Sequence, residues 1–90
     1  MQEFIVEYLG SVFFLYVVIS TSGAIAPLAI GAALALSIYL GGPISGGNFN
    51  PAVTVMQALA KKQPMRLVAP YLIAQLAAAF TVVELYKRFK

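Results

Sequence analysis

One stretch decides the fold of this chain: residues 41–55, with the sequence GGPISGGNFNPAVTV. It places glycines, two asparagines and two prolines in a chain that otherwise reads as apolar helix. Asn50 is a good N-cap because its side-chain oxygen can accept a hydrogen bond from an amide of the first helical turn. Pro51 suits the first helical position, where its missing N–H loses nothing. The pattern predicts a short helix over residues 51–60.

The predicted helix is too short to cross a membrane. Residues 51–60 span about 15 Å at the helical rise, whereas the hydrocarbon core of a bilayer is about 30 Å thick. Irregular backbone at membrane depth is tolerated only where it is buried in protein or lines a water-filled cavity. We therefore expect a re-entrant loop and half-helix over residues 41–60, with the positive helix end at the midplane. An ordinary helix–turn–helix linker would use the same capped start.

Composition places the chain in the membrane class as a single domain, residues 1–90. The chain is 61% hydrophobic and 10% charged, with a mean hydropathy of +0.88. It has no cysteine and no histidine, so we predict no catalytic residue, no metal site, no cofactor and no enzymatic activity. The net charge of +3 lies near the ends of apolar segments, which indicates contact with lipid rather than nucleic acid. A cleaved signal peptide is not expected, because the first apolar segment carries Glu3 and Glu7 and lacks a basic start.

Three apolar segments are predicted to span the membrane, over residues 3–21, 25–40 and 68–86. Glu7 lies inside the first of them. An ionisable residue in a span is costly and usually faces a partner or a cavity, although a position near the interface would leave it simply solvated. Gly10 and Ser11 follow one turn later and would let another helix approach closely. The predicted fold is an all-α membrane protein with three transmembrane helices and one re-entrant half-helix.

Three motifs carry a resemblance to a known family. They are SGGNFNPAVTV at residues 45–55, EYLGS at residues 7–11 and YLIAQ at residues 71–75. In this order and spacing they resemble the first-repeat signature, the first-helix motif and the third-helix motif of the aquaporin (major intrinsic protein) family, in its water-channel branch. Members of the family have two such repeats, inverted in the membrane. The resemblance therefore implies that these residues form half of an aquaporin fold.

The resemblance also implies a pore lining. The asparagine of the Asn-Pro-Ala triplet would donate a hydrogen bond to passing water at the midplane, and backbone carbonyls of the preceding loop would form an acceptor ladder. The pore residues implied in this way are Asn50, Pro51, Ala52, Asn48, Gly46 and Gly47.

The resemblance implies a role for two further residues, and at three positions this sequence differs from the family pattern. Glu7 would accept hydrogen bonds from amides of the re-entrant loop, and Gln75 would support the half-helix or its loop. Ile30 stands where water channels usually carry an aromatic ring of the filter, and Val53 where the second repeat has arginine. Asn48 stands where the first repeat often has histidine. A filter that lacks both the arginine and the aromatic ring should be wider and less polar. We therefore expect passage of water and of small neutral solutes such as glycerol.

One half-repeat cannot enclose a pore, so a second is expected. The basic residues divide between the two predicted surfaces: Lys61, Lys62 and Arg66 at one, and Lys87, Arg88 and Lys90 at the other. Positive charge orients spans in membranes, and here the bias is nearly nil. We therefore predict insertion in both orientations and an antiparallel homodimer, four of which would imitate the tetramer of the family.

Three alternatives remain open from the sequence. The chain could be a subunit that pairs with a different half-chain bearing the filter arginine. It could be a small dual-topology transporter in which Glu7 is a proton-coupled substrate site. It could also be a non-conducting interaction module or a fragment of a longer chain.

Overall fold

The computed structural model describes residues 1–89, and Lys90, which entered the predicted charge balance, lies outside this range. The described residues form four α-helices and one 3-10 turn. The helices are α1 (Gln2–Ser20), α2 (Ala26–Ser45), α3 (Pro51–Leu59) and α4 (Val68–Phe89), and the 3-10 turn, Met65–Leu67, leads into α4.

Three segments of this structure are long and apolar enough to cross a membrane: Gln2–Ser20, Ala26–Ser45 and Met65–Phe89. The predicted class, an all-α membrane protein with three transmembrane helices, is confirmed. Helix α3 has nine residues and is about 14 Å long, less than half the thickness of the hydrocarbon core. Its re-entrant course in the bilayer stays a prediction.

Helix α1 is the centre of the arrangement. It packs against α2 on one side and α4 on the other, whereas α3 packs against α4 and the 3-10 turn. The rings of Phe4 and Tyr71 meet edge to face at 5.9 Å between centroids, and Tyr8 Oη and Thr81 Oγ1 share a hydrogen bond of 2.6 Å. Both contacts join the first half of α1 to α4.

Helix α2 is longer than predicted. It continues five residues beyond Leu40 to Ser45, so the predicted start of the loop at residue 41 is wrong. Within these five residues the Ser45 hydroxyl reaches back to the Gly41 carbonyl at 3.3 Å. The helix ends only at Gly46, whose φ of +91° is left-handed and whose N–H bonds to the Gly42 carbonyl at 2.8 Å.

Two glycines make room for the Phe49 ring. A Cβ built at Gly10 would overlap that ring, 2.6 Å from Cζ, and one at Gly41 would lie 2.8 Å from Val6 Cγ1 and 3.0 Å from Phe49 Cζ. Phe49 itself is only 3% exposed. The ring therefore sits against α1 and α2 at positions where neither helix carries a side chain.

We predict that Gly10→Ala lowers the free energy of unfolding by about 1–3 kcal/mol, because the added methyl group forces the Phe49 ring out of its site. The measurement is reversible unfolding in detergent. Gly31→Ala is the matched control, since no atom lies within 4 Å of a Cβ at Gly31, and alanine there should be neutral or stabilising by up to about 1 kcal/mol. Equal stability of the two variants would contradict the packing argument.

Candidate functional site

The Glu7 carboxylate is fully buried and accepts four hydrogen bonds from three other segments. Its Oε2 accepts from Ser45 Oγ at 2.7 Å and from the Asn48 N–H at 3.0 Å. Its Oε1 accepts from the Phe49 N–H at 2.8 Å and from Gln75 Nε2 at 2.9 Å. One side chain of α1 thus joins the end of α2, the loop before α3, and α4.

The loop that Glu7 contacts has an unusual backbone. Gly46, Gly47 and Phe49 all have positive φ, at 91°, 66° and 55°. Glycine adopts such angles freely, but they are uncommon for a side chain as bulky as phenylalanine. The N–H groups of residues 48 and 49 both donate to the carboxylate. The strained turn at Phe49 is therefore held by an ionisable acceptor and by the burial of the ring.

Thr54, in the first turns of α3, ties that helix to its neighbours. Its Oγ1 accepts from Gln75 Nε2 at 2.8 Å and from Asn48 Nδ2 at 3.0 Å, and donates to the Asn50 carbonyl at 3.2 Å. Gln75 Nε2 therefore donates to both Glu7 and Thr54. The start of α3 is fixed against α4 and against its own preceding loop.

The end of α2 is fixed in the same manner. The Ser45 carbonyl accepts from Tyr71 Oη at 2.6 Å and from Gln63 Nε2 at 3.4 Å. The Ser45 hydroxyl accepts from the Gly47 N–H at 3.1 Å while it donates to Glu7. Both polar groups of Ser45 are thus used to hold the loop.

Asn50 caps α3. Its Oδ1 accepts from the Ala52 N–H at 2.7 Å and from the Val53 N–H at 3.4 Å. This capping fixes the orientation of the side-chain amide. Its Nδ2 donates to no group of residues 1–89, and the residue is exposed. A free donor therefore stands at the positive end of α3.

A groove of about 330 Å³ lies beside Asn50. The residues that line it are Phe14, Leu34, Ile38, Gly46, Gly47, Asn48, Phe49, Asn50, Val53 and Gln57. The carbonyl oxygens of residues 46–48 accept no hydrogen bond from any other group in residues 1–89. The residues that line the groove thus carry one free amide donor and three free carbonyl acceptors, and most of the other lining side chains are apolar.

The predicted pore residues divide between two places. Five predicted residues line the groove: Gly46, Gly47, Asn48, Asn50 and Val53. Pro51 and Ala52 instead belong to a second surface of α3, together with Val55, Met56, Leu59 and Ala60. Ile30, half-exposed on α2, is not among the residues that line the groove. Of the two residues predicted for the filter region, Val53 therefore lines the groove and Ile30 does not.

Sequence reasoning gave no role to Ser45, Thr54 and Gln63, although their side chains bond within this site. Ser45 and Thr54 lie inside the stretch 41–55. Polar side chains are infrequent in so apolar a chain, and these two could have been recognised as candidates for buried hydrogen bonds. Gln63 follows two lysines and has the pattern of a solvated loop residue. Yet its Oε1 accepts from Asn48 Nδ2 at 2.9 Å. Nothing in the local sequence indicated that contact.

The chemistry of the site is that of neutral hydrogen bonding. Within the described range, no three metal-ligating side chains lie together, and Glu7 has donors on both oxygens. The polar residues that line the groove carry amide and carbonyl groups, which can form neutral hydrogen bonds without proton transfer.

Comparison with known proteins gives long matches to one family. The family model for the major intrinsic proteins matches residues 1–90. Aquaporin AqpM of Methanothermobacter marburgensis is 56% identical over 52 residues, which cover 58% of this chain and 21% of that protein. Aquaporin-8 of Rattus norvegicus is 40% identical over 102 residues, covering 98% and 39%. Glycerol uptake facilitator protein-like 6 of Lactiplantibacillus plantarum is 34% identical over 95 residues, covering 99% and 44%.

The chain spans less than half the length of these relatives. No solved structure matches it. The family match nevertheless extends over every residue, and three helices are apolar enough to cross a bilayer. The chain is therefore an integral membrane protein and belongs to the major intrinsic protein family.

Proposed function

We propose that this chain is one half of a passive membrane channel for water and for small neutral solutes such as glycerol, and that it has no enzymatic activity. Two copies inserted in opposite orientations would enclose one pore. The observation that carries the proposal is the free Asn50 amide at the start of a half-length helix, beside a groove with unpaired carbonyls. Relatives named as an aquaporin and as a glycerol uptake facilitator support it.

The groove offers a permeating molecule a short series of neutral partners. Asn50 Nδ2 would donate to the oxygen of a passing water, and the carbonyls of residues 46–48 would accept its hydrogens. The apolar side chains Phe14, Leu34 and Ile38, which also line the groove, offer no competing hydrogen bond. Few weak binding sites in series permit entry and exit without tight binding.

Charge at the midplane would exclude cations. The N-terminus of α3 carries the equivalent of about half a positive charge, so two opposed copies would present about one. A monovalent cation about 4 Å from a unit charge experiences about 4 kcal/mol of repulsion at an effective dielectric constant near 20. Removal of its hydration shell adds to this cost. Neutral molecules meet neither barrier.

The exposed face of α3 supports the second copy. Ala52, Val55, Met56 and Leu59 are exposed in the single chain. If α3 enters the bilayer, the unpaired carbonyls before it would face lipid unless protein or water covered them. An inverted copy would place its own α3 against this surface, as in membrane proteins built from inverted repeats. We expect four such dimers around one axis.

The distribution of basic residues supports two orientations. The loop after α3 carries Lys61, Lys62 and Arg66, and the last turn of α4 carries Lys87 and Arg88; all are exposed. The two ends of the bundle are thus similarly basic. Because the positive charge of loops sets the orientation of spans, neither orientation is strongly favoured.

The valine at position 53 favours pairing with a different half-chain. It lines the groove at the position where the family's second repeat would supply arginine. A homodimer would have valine on both sides of the filter, which would be wide because neither chain supplies an arginine. A different half-chain could instead contribute the arginine, which would give a narrower filter and stronger selection for water.

The transporter alternative is less well supported. A proton-coupled carboxylate must open to solvent, whereas Glu7 is fully buried and receives four donors. It is also absent from the residues that line the groove. Its contacts support a role in holding the loop.

We predict that the purified chain alone, in proteoliposomes, raises osmotic water permeability well above that of protein-free vesicles, with no ion leak. In Asn50→Asp, cation leak should rise at least about tenfold, because a carboxylate offsets the repulsion of about 4 kcal/mol at the midplane. Aspartate is as good an N-cap as asparagine, so α3 should persist. The measurements are light scattering after an osmotic step and potassium flux.

Asn50→Ser is the control for this pair of measurements. Serine also caps a helix but adds no charge, so cations should stay excluded. Wild-type vesicles without water permeability would contradict the homodimeric pore and favour a different half-chain. Unchanged cation leak in Asn50→Asp would contradict the placement of Asn50 at the midplane.

We predict that copies insert in both orientations in comparable amounts. The chain has no cysteine, so a single cysteine can report the side of the membrane. Ser22→Cys lies in the turn between α1 and α2, and Lys62→Cys lies in the loop after α3. Each should be labelled in part by an impermeant maleimide from outside sealed vesicles and in part only after lysis. Complete labelling of one and none of the other would contradict dual insertion.

We predict that Glu7→Gln destabilises the protein and lowers water permeability. An amide has a single acceptor oxygen, so at least one buried donor loses its partner, at a cost of about 1–3 kcal/mol for each. Unfolding in detergent and water flux are the measurements. Glu84→Gln is the control: within residues 1–89 its only ion pair is with Lys87 at 4.0 Å on the surface, so the stability of this variant should change by less than about 1 kcal/mol. Wild-type stability in Glu7→Gln would contradict the loop-support role.

A further inference from the structure

The side chains of Asn48 and Gln63 are joined by hydrogen bonds. Asn48 Nδ2 donates to Gln63 Oε1 at 2.9 Å and to Thr54 Oγ1 at 3.0 Å, so both amide hydrogens are engaged. In return Gln63 Nε2 lies 3.4 Å from Asn48 Oδ1 and 3.4 Å from the Ser45 carbonyl. Asn48 is 3% exposed, although it belongs to the groove wall.

The backbone after α3 brings Gln63 to this place. Lys61 adopts a positive φ of 63°, and the N–H groups of Lys62 and Gln63 both bond back to the Gln57 carbonyl, at 2.9 and 3.3 Å. The chain therefore reverses and the Gln63 side chain runs back along α3. Its amide packs directly on Gly46, where an added Cβ would overlap Nε2. A larger residue at 46 would exclude the pair.

We propose that Gln63 is a positioning residue for permeation: it holds the Asn48 amide out of the groove, so that this wall presents only the backbone carbonyls of residues 46–48. The inference rests on the proposed channel function. Without Gln63, one amide hydrogen and the amide oxygen of Asn48 lose their partner. The amide would then turn towards the groove, narrowing it and adding a competing donor. A larger solute would be hindered more than water.

Proton exchange tests the holding of Asn48 directly. The chain contains two asparagines, Asn48 and Asn50, so asparagine-selective ¹⁵N labelling gives two side-chain amide signals. In the wild type in micelles, the Asn48 protons should exchange with water at least about tenfold more slowly than those of the free Asn50 amide. In Gln63→Met, which keeps the length of the side chain, exchange at Asn48 should approach that at Asn50.

Flux measurements test the proposed effect of Gln63 on permeation. In proteoliposomes, Gln63→Met should lower the ratio of glycerol to water permeability by about 3- to 10-fold, the effect of one neutral hydrogen bond. Gln2→Met is the matched control, because Gln2 is exposed at the start of α1, does not line the groove and bonds to no other side chain within residues 1–89. It should leave the ratio and the exchange at Asn48 unchanged. The double variant Asn48→Ala, Gln63→Met should match Asn48→Ala alone, since Gln63 acts through Asn48.

The outcomes of these experiments distinguish a failure of the positioning role of Gln63 from a failure of the proposed channel function. Slow exchange at Asn48 in Gln63→Met, an unchanged permeability ratio, or additive effects in the double variant would overturn the positioning role. A wild type that passes water but no glycerol would also overturn it. A wild type without any water permeability would overturn the channel itself, and the exchange rates would then still show whether Gln63 holds Asn48.

Discussion

The structure depends on one buried carboxylate. A charge removed from water among apolar helices is costly unless hydrogen bonds satisfy it, and Glu7 receives four of them. The loop also depends on Glu7, because residues 48 and 49 are buried and, in the part of the chain that the structure describes, their N–H groups have no partner other than Glu7. Bonds from neutral donors to an ionised acceptor are stronger than neutral pairs. The loop conformation and the charge therefore stabilise each other.

Phe49 explains why Glu7 and Gly10 belong together. They are separated by three positions and lie on the same face of α1. Glu7 accepts the Phe49 N–H, while Gly10 leaves the space that the Phe49 ring occupies. A left-handed phenylalanine is strained, and these two contacts, one polar and one steric, hold it in place. In this loop conformation the carbonyls of residues 46–48 have no hydrogen-bond partner within residues 1–89.

The fixed loop in turn gives α3 its unusual position. Thr54 and Gln75 hold one side of α3 against α4, and the opposite side, with Ala52, Val55 and Met56, stays exposed. The short helix is thus rigidly presented rather than enclosed by its own chain. If α3 enters the bilayer as we propose, this exposed side and the unpaired loop carbonyls need a cover, which is the physical basis for the proposed second, inverted copy. It also means that pore selectivity would arise from two chains, with the Asn48–Gln63 pair acting on each wall.

The sequence by itself determined the class of protein, the three spans, the short capped helix at Pro51 and the family, because hydropathy, capping residues and motif spacing are local properties. It did not determine where α2 ends: glycines and a proline at residues 41–43 are local signals for a break, yet the helix continues to Ser45. Helix packing around Phe49 and the hydrogen bonds of Ser45 outweigh that local preference. Only the tertiary structure showed that Ile30 is not among the residues that line the groove and that Gln63, fifteen residues beyond Asn48, bonds to Asn48. Both facts depend on the path of the backbone in space, which no local pattern of residues records.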